Sequence, residues 1–414
     1  MNTMKNTREH DARLNRRSFL TGGLGLVGGA GLLAPSARAG MRLLGSPGES
    51  RTLVLIQLTG GNDGLSTIVP HGDDEYHRAR QQTHIDTAEL HKIDDYIGFH
   101  PDLKRMHGRF NEGGLAVVQG VGYAGPNRSH FKSREIWHAA DLRGRAAGDG
   151  WVGRLCDDAW AESLLPELTV HIGRNVPYAL HSRSHAPVAF DSPEIYRWFG
   201  DRATQAALES DRLAARRKKS DGSVLGRLRR VMDDAQDSSS RIRGAIADYR
   251  TDVEYPASDL SEILRRVAAL LDARLGTRVI TVDFGGFDTH ASQKPAHADL
   301  MRELDGALDA FMNDIARHQA GKDTVVMAFS EFGRRVQENG SAGTDHGKAG
   351  PVFLAGEPVR GGLFGEHPSL TDLDQGDLRF GVDFRQAYAS VIHWLGGDPD
   401  AVLGAHHDSM PFLG

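Results

Sequence analysis

Blocks of hydrophobic residues separated by polar, amphipathic stretches predict buried strands joined by helices. Six short runs are continuously hydrophobic and rich in β-branched residues, the pattern of a strand covered on both faces. These runs lie at 51–61, 114–122, 167–173, 278–286, 323–333 and 351–356. Because strands covered on both faces are typical of parallel sheets, we expect a mostly parallel sheet.

Amphipathic segments between these runs predict the helices that cover the sheet. They lie at 131–142, 261–276, 297–321 and 384–397. In the third segment apolar residues recur every three or four positions, and Gly321 is the predicted C-cap. The alternation of strands and helices predicts an α/β fold class, with a doubly wound, mostly parallel sheet sandwiched by helices.

The composition is that of a globular protein: of 414 residues, 39% are hydrophobic and 25% are charged. No linker rich in Pro or Ser divides the chain, so we predict a single α/β domain over residues 40–414. Residues 201–256 are rich in Arg, Asp, Ser and Ala and are predicted to form a polar helical insertion. Cys156 is the only cysteine, which excludes an intrachain disulfide and favours a small core residue.

The N-terminal residues predict export. "NRRSFL" (15–20) precedes a mild apolar run at 21–34 and the small residues Ala37 and Ala39, which is the pattern of a twin-arginine (Tat) signal peptide over residues 1–39. An uncleaved anchor is the alternative, but the run is short and rich in glycine, so we expect no stable membrane insertion after cleavage. The Tat translocon is then a transient partner, and the location is periplasmic or extracellular.

Charge argues against a nucleic-acid partner. Removing residues 1–39 leaves 43 Lys and Arg against 53 Asp and Glu. An acidic surface repels phosphate backbones at long range.

Acidic and imidazole side chains follow several predicted strands. Asp63 follows the first strand in "TGGNDG", Asp288 and His290 follow the fourth, and Asp345 and His346 stand in "GTDHG". Carboxyl ends of parallel strands meet at one edge of a sheet, and these are ligand types that zinc and related ions take. The set is large enough for one or two ions. Each residue taken alone is equally an ordinary polar loop residue, and Asp63 an Asx-turn residue.

Three further residues suit an anionic substrate. "NRSHF" puts Ser129 at the entrance of a helix beside Arg128, and "SEFGR" supplies Arg334. Ser129 is also an ordinary N-cap candidate, and the two roles are compatible. The chain lacks the G-x-S-x-G, H-E-x-x-H, phosphate-loop and dinucleotide patterns of other enzyme classes.

Five segments behind the Tat signal resemble one family of exported bacterial proteins, the domain of unknown function 1501 family. They are "LVLIQLTGGNDGLSTIVP" (53–70), "NRSHF" (127–131), "GGFDTH" (285–290), "SEFGR" (330–334) and "GTDHG" (343–347). This family is grouped with the alkaline phosphatase/sulfatase superfamily, so the resemblance implies an α/β sandwich that holds one or two divalent metals beside a nucleophile. By motif, it implies Ser129 as nucleophile and, as metal ligands, Asp63, Asp288, His290, Asp345 and His346.

The chain departs from the superfamily pattern in two places. Asp288 and His290 are two residues apart where four is usual, which leaves Asp283 or His297 as alternative partners. A late histidine is also implied, and the candidates are His367, His393 and His406.

These observations predict an exported, metal-dependent hydrolase of phosphate or sulfate esters. The cofactor would be a divalent metal, with zinc the first candidate and manganese, magnesium or calcium as alternatives. Ser129 or a metal-activated water would attack a small-molecule or polymer ester, while Arg128 or Arg334 neutralises the oxygens. A catalytically silent cell-envelope binding protein with the same fold is the competing hypothesis. A redox protein is a third, weakened by the lack of haem, iron–sulfur and dinucleotide motifs.

Overall fold

Strands and helices alternate around a central sheet in the computed structural model of the protein, which describes residues 51–194 and 224–414. All six predicted strands and all four predicted helices are present, with bounds that differ by a few residues. The predicted signal peptide lies outside the described residues, as does the first part of the predicted insertion, up to residue 223. Within the rest of the insertion, Val224–Asp248 is a helix.

The strands are β1 (Thr52–Leu58), β2 (Ile68–Val69), β3 (His91–Lys92), β4 (Gly98–Phe99), β5 (Leu115–Gly122), β6 (Thr169–Ile172), β7 (Val188–Phe190), β8 (Val279–Phe284), β9 (Thr324–Phe329), β10 (Arg334–Glu338), β11 (Thr344–His346), β12 (Gly350–Ala355), β13 (Gly362–Phe364), β14 (Leu373–Asp374), β15 (Asp377–Leu378) and β16 (Val382–Asp383). The α-helices are α1 (Gly64–Thr67), α2 (Asp74–Ala79), α3 (Lys104–Asn111), α4 (His130–Ala139), α5 (Trp151–Ala159), α6 (Val224–Asp248), α7 (Asp259–Asp272), α8 (Gln293–Ile315), α9 (Phe384–Trp394) and α10 (Pro399–Leu403).

Nine of the described strands form the central sheet. Their order is β13-β5-β12-β9-β1-β8-β6-β7, with β16 also paired to β5. Strand pairs are parallel except where β12 lies antiparallel to β5 and β9. The predicted fold class is confirmed, with β12 as the one reversed strand of the described sheet.

Helices cover both faces of the sheet because successive side chains of each strand point to opposite faces. Along β1, Leu53 and Leu55 pack with α4, α5 and α9 on one face. Val54, Ile56 and Leu58 pack with α3, α7 and α8 on the other. This packing leaves every residue of β1 buried, as its continuous hydrophobicity predicted.

The long helix α8 ends earlier than predicted. It stops at Ile315, and Gly321 lies in the 3-10 turn Gln319–Asp323 instead of capping the helix. A Cβ on Gly321 would lie 1.8 Å from the carbonyl oxygen of Ile315. Glycine is therefore required because the chain passes close to the helix end, not because it is a left-handed cap.

Four parallel strands deliver their following loops to one edge of the sheet. Strands β1, β5, β8 and β9 run in the same direction, so their carboxyl ends share that edge. Ligands of α/β proteins usually bind at such an edge. Among the helices of the described ranges, none is long and apolar enough to cross a membrane.

Candidate metal centre

Three imidazoles and one carboxylate converge at the carboxyl edge. His130 opens α4, Asp288 and His290 follow β8, and His346 ends β11. Nε2 of His290 lies 2.9 Å from Nε2 of His346 and 2.9 Å from Oδ1 of Asp288. Nε2 of His346 lies 3.0 Å, and Nε2 of His130 3.5 Å, from the same Asp288 oxygen. Ligand atoms of His130, Asp288 and His346 all lie within 4.8 Å of one another.

Each of the three imidazoles has its outer nitrogen, Nδ1, beside an oxygen that can only accept a hydrogen bond. The pairs are His130 with Oε1 of Glu331 (2.8 Å), His290 with Oδ1 of Asp345 (3.3 Å) and His346 with the carbonyl of Arg128 (2.8 Å). A proton on Nδ1 satisfies each of these contacts and directs the lone pair of Nε2 toward the centre of the cluster, which is the tautomer that a bound cation requires. Imidazoles that bind metal ions are held in this way.

The cluster fits a divalent cation. Nε2 of His130 is buried and makes no hydrogen bond within the described residues. Two imidazole nitrogens 2.9 Å apart attract each other only through a shared proton or a cation that both bind. Four ligands placed about 2.0–2.1 Å from a tetrahedral ion are about 3.3 Å apart. The separations of 2.9, 3.0 and 3.5 Å from the Asp288 oxygen and of 2.9 Å between His290 and His346 bracket that value, and a set of three imidazoles and a carboxylate suits zinc.

Glycine lets the hairpin of "GTDHG" approach the loop that follows β8. A Cβ on Gly343 would lie 2.2 Å from the carbonyl carbon of His290, a separation that no side chain tolerates. The hairpin pairs Arg334 with His346 in antiparallel register. Without this close approach, His346 would not meet His290.

Arg334 positions Asp288 and is itself buried. Its guanidinium donates to Oδ1 of Asp288 (2.8 Å). The same group donates to the backbone carbonyls of Gly60, Gly61, Phe287 and Thr344. Burial would raise the pKa of Asp288, but the neighbouring His346 imidazole and Arg334 guanidinium lower it to about 2. Arg334 is only 1% exposed, and its donors hold Asp288 and the surrounding loops together, while its role toward a substrate stays a prediction.

Asp63 lies apart from the cluster, in a buried ion pair. Its carboxylate accepts from the guanidinium of Arg80 with both oxygens, and from Ser66 (2.8 Å) and Gln293. Burial alone would raise the pKa of Asp63, but Arg80 lowers it to about 2. The structure therefore does not bring Asp63 to the other predicted ligands, because an arginine already neutralises it.

Ser129 and Arg128 lie directly beside the centre. Ser129 is the exposed N-cap residue of α4, and its hydroxyl does not cap the helix. The carbonyl of Arg128 accepts from His346, whereas its guanidinium contacts the buried Asp377. The Ser129 hydroxyl, next to His130, therefore makes no capping hydrogen bond, whereas the Arg128 guanidinium is paired with Asp377.

Asp345 orients a ligand instead of facing the centre. Its Oδ1 lies on the Nδ1 side of His290 and also accepts from Asn339 (3.2 Å). Of the alternatives left open by the sequence, Asp283 lies 3.7 Å from Arg134, and His297 lies 3.2 Å from Oδ1 of Asn62.

None of the three late histidines joins the cluster in the described structure. His367 contacts the Pro368 carbonyl, His393 is exposed on α9, and His406 lies between Asp400 and Asp408.

Sequence reasoning missed His130 and Glu331 as members of the site. Like the predicted ligands, both residues come shortly after a strand. His130 follows the loop after β5, and Glu331 comes two positions after β9 ends. In "NRSHF" the sequence pattern draws attention to Ser129, and three late histidines compete with His130 for the last position in the ligand set. Its place at the start of α4 is what brings it to the shared edge.

The fold and this centre define an α/β protein with a candidate divalent-metal site at the carboxyl ends of parallel strands. The chain belongs to the family described as "Protein of unknown function (DUF1501)", whose profile matches residues 178–411. The resemblance seen in the sequence is thereby confirmed. No curated protein matches the chain.

Solved structures similar to the chain come from three bacteria, among others. The C-terminal periplasmic domain of EptC from Escherichia coli, in complex with Zn, is 11% identical over 74% of this chain and 73% of that chain (TM-score 0.36). The lipoteichoic acid synthase LtaP from Listeria monocytogenes is 9% identical over 81% and 75% (TM-score 0.38). The PsFucS1 sulfatase from Pseudoalteromonas sp. is 10% identical over 87% and 70% (TM-score 0.40). At these TM-scores the likenesses assign neither an activity nor a metal to this chain.

Proposed function

We propose that this protein is an exported hydrolase of phosphate or sulfate esters that holds one divalent cation on His130, Asp288, His290 and His346. The observation that carries the proposal is the convergence of four ligand atoms, the Nε2 atoms of three imidazoles and Oδ1 of Asp288, while each imidazole Nδ1 lies beside an acceptor. Three imidazoles favour zinc over magnesium or calcium, which prefer oxygen ligands. Manganese remains the second candidate.

One ion, not two, accounts for the available ligands. The charge of Asp63 is neutralised by Arg80, and Asp345 accepts from His290 on its outer side. Four atoms remain, which is the complement of one tetrahedral ion. Zinc can expand to five ligands, so a substrate oxygen can still approach it.

The residues around the cation suit attack on an anionic ester. A bound divalent cation would polarise the ester and lower the pKa of a nearby hydroxyl or water. Ser129 adjoins the ligand His130, and its hydroxyl does not cap the helix, so it is the candidate nucleophile. An attacking water is the alternative. The amino end of α4 adds unpaired N–H groups, which favour an anion there.

The test pairs metal analysis with an ester panel. We expect the purified protein to contain about one zinc or manganese per chain, as the complement of four ligands requires, and to hydrolyse a chromogenic phosphate or sulfate ester. His346→Ala should lose both the ion and the turnover, whereas His393→Ala, which removes an exposed imidazole on α9, should keep both. Stoichiometric metal in His346→Ala would overturn the assignment of the centre.

A catalytically silent binding protein of the cell envelope is the second candidate. Two observations favour this candidate. The Asp63 carboxylate forms a buried ion pair with Arg80, and no base in the described residues is hydrogen-bonded to the Ser129 hydroxyl. This candidate predicts no turnover of any ester in the panel and an unchanged function in Ser129→Ala. The same ester panel therefore separates the two candidates.

Export through the Tat pathway is the remaining part of the proposal. It is supported by the paired Arg16 and Arg17 ahead of a short apolar run. Replacing both arginines by lysine should retain the protein in the cytoplasm, and mass spectrometry of the wild-type exported protein should find a new N-terminus at Gly40. An exported double variant would contradict the pathway.

A further inference from the structure

The proposed reaction needs a cation that meets the non-bridging oxygens of the substrate, and the guanidinium groups of both predicted arginines already make hydrogen bonds. Arg334 is buried and donates to Asp288 and to backbone carbonyls. Arg128 directs its guanidinium to Asp377. A third arginine near the centre, Arg134, differs from both. Its side chain is about as exposed as that of Arg128 (34% against 37%), but it makes no hydrogen bond in the part of the chain that the structure describes.

Arg134 lies near the metal centre by two independent placements. It follows His130 by four residues on α4, so the two side chains share one face of the helix. Helical side chains lean toward the amino end, which carries the guanidinium toward His130. Its neighbour Asp283 is in β8, the strand whose following loop supplies Asp288. Both relationships place the guanidinium beside the carboxyl end of β8, whose following loop supplies Asp288.

The contact between Arg134 and Asp283 is weak enough to be exchanged. The two charged groups are 3.7 Å apart, without a hydrogen bond, and the Asp283 side chain is 38% exposed. Exposed ion pairs of this kind add little stability. A guanidinium binds a tetrahedral oxyanion more strongly, because two parallel N–H groups match two of its oxygens.

We propose that Arg134 is the substrate-binding arginine of this site and that it exchanges Asp283 for the phosphate or sulfate group of the substrate. The identity of that anion rests on the proposed function, whereas the choice of Arg134 rests on its unused donors and its place on α4. No covalent step is involved.

Binding of inorganic phosphate and sulfate to the zinc-loaded full chain, measured by isothermal titration calorimetry, tests this without turnover. Loss of a charge-assisted, bidentate contact in Arg134→Ala should weaken phosphate binding roughly tenfold to hundredfold. Arg134→Lys should fall between that variant and wild type, since lysine keeps the charge but not the fork. Arg265→Ala is the matched control, because Arg265 is a similarly exposed arginine, paired with Glu262 on α7.

Asp283→Asn separates a binding role from a structural one. If Arg134 serves the substrate, removing its competing carboxylate should strengthen phosphate binding, by about two- to fivefold for an exposed pair. If the pair merely stabilises the fold, Arg134→Ala and Asp283→Asn should both weaken binding. An unchanged dissociation constant in Arg134→Ala, or weaker binding in Asp283→Asn, overturns the inference.

The inference and the proposed function fail in different ways. A wild-type protein that binds phosphate through Arg134 but hydrolyses no ester contradicts the hydrolase and leaves the inference standing. A wild-type protein that hydrolyses esters while Arg134→Ala keeps its KM and its phosphate affinity contradicts the inference alone. Wild-type protein that binds neither phosphate nor sulfate contradicts the inference as well.

Discussion

Nδ1 of His130 lies 2.8 Å from Oε1 of Glu331, and this hydrogen bond joins the loop after β5 to the loop after β9. Glu331 is buried and also accepts from the backbone N–H of Gly60 (3.0 Å). The hydrogen bond that His130 donates to Glu331 raises the pKa of His130 above its ordinary value, despite partial burial. A carboxylate behind an imidazole increases its basicity and fixes its orientation, which strengthens metal binding.

Glu331→Gln should therefore weaken metal binding while the protein stays folded. Glutamine keeps the shape of the side chain but not the charge, and loss of such a partner typically lowers metal affinity about 10–100-fold. Competition with a coloured chelator measures this affinity. Glu338→Gln is the control, because Glu338 accepts from the loop at Gln82 and Thr83 and contacts no histidine. Equal affinities in the two variants would contradict the role of Glu331.

Gly343→Ala should disturb the centre through a purely steric effect. Its new Cβ would lie 2.2 Å from the carbonyl carbon of His290, so the hairpin must move away from that ligand. We expect the free energy of unfolding in urea to fall by about 1–3 kcal/mol, as in other overpacked sites, and the metal to bind more weakly.

Gly340→Ala provides the matched control three residues away. A Cβ at Gly340 would meet nothing within 4 Å, so its stability should stay within about 0.5 kcal/mol of wild type. Similar effects of the two substitutions would show that the packing at His290 is not what Gly343 protects.

The sequence was sufficient to predict the sheet, because buried strands such as β1 and β9 leave a continuous hydrophobic signal. It also predicted that Asp288, His290 and His346 meet, since the carboxyl ends of parallel strands share an edge. The reversed direction of β12 left no signal, because a buried strand has the same pattern in either direction. Local hydrophobicity does not encode the partner of a strand.

The feature of the site that the sequence does not predict is which charged residues pair with each other when they are far apart in the chain. Asp63 had the position and chemistry of a ligand, but Arg80 folds back through α2 and neutralises it. Arg334 had the chemistry of a substrate-binding residue, but its donors meet carbonyls from three separate loops. Such contacts depend on where the loops pack, which no local pattern records.

Asp63→Asn and Asp288→Asn should differ in their effect on the metal content. Asp63→Asn leaves the buried guanidinium of Arg80 without its counter-charge, which typically costs about 3–5 kcal/mol, but should not change the metal content. Asp288→Asn removes a ligand and also the carboxylate beside the buried guanidinium of Arg334, so metal should be lost and the metal-free protein should also be less stable. Urea unfolding and elemental analysis measure the two quantities. Loss of metal in folded Asp63→Asn would return Asp63 to the ligand set.

The stability difference between wild type and Asp63→Asn should depend on pH. Arg80 depresses the folded-state pKa of Asp63 to about 2, although burial acts in the opposite direction. Its ordinary value is about 3.9. The ion pair therefore contributes fully above about pH 4 and progressively less as the pH falls toward 2. Urea unfolding at pH 7, 4 and 3 should show the difference narrowing only at the lowest pH, and a gap that widens on acidification would contradict this.

Ser129→Ala should weaken neither the metal centre nor the helix, so that any loss of turnover reports on the hydroxyl itself. The Ser129 hydroxyl makes no capping hydrogen bond, so its removal should leave the free energy of unfolding nearly unchanged. Ser258→Ala is the contrasting variant, because the Ser258 hydroxyl caps α7 through the N–H of Ser261, and its loss should cost about 1 kcal/mol. Metal content should stay the same in both.

The kinetic effect of Ser129→Ala then identifies the attacking group. If the hydroxyl is the nucleophile, kcat should fall by at least about 100-fold, since a whole covalent route is lost. If water attacks, the variant should keep most of its activity, because His130, Asp288, His290 and His346 still hold the cation. Burst kinetics in the wild type, with one equivalent of alcohol released before steady state, would support the covalent route independently. Absence of a burst together with an active Ser129→Ala variant would assign the attack to water.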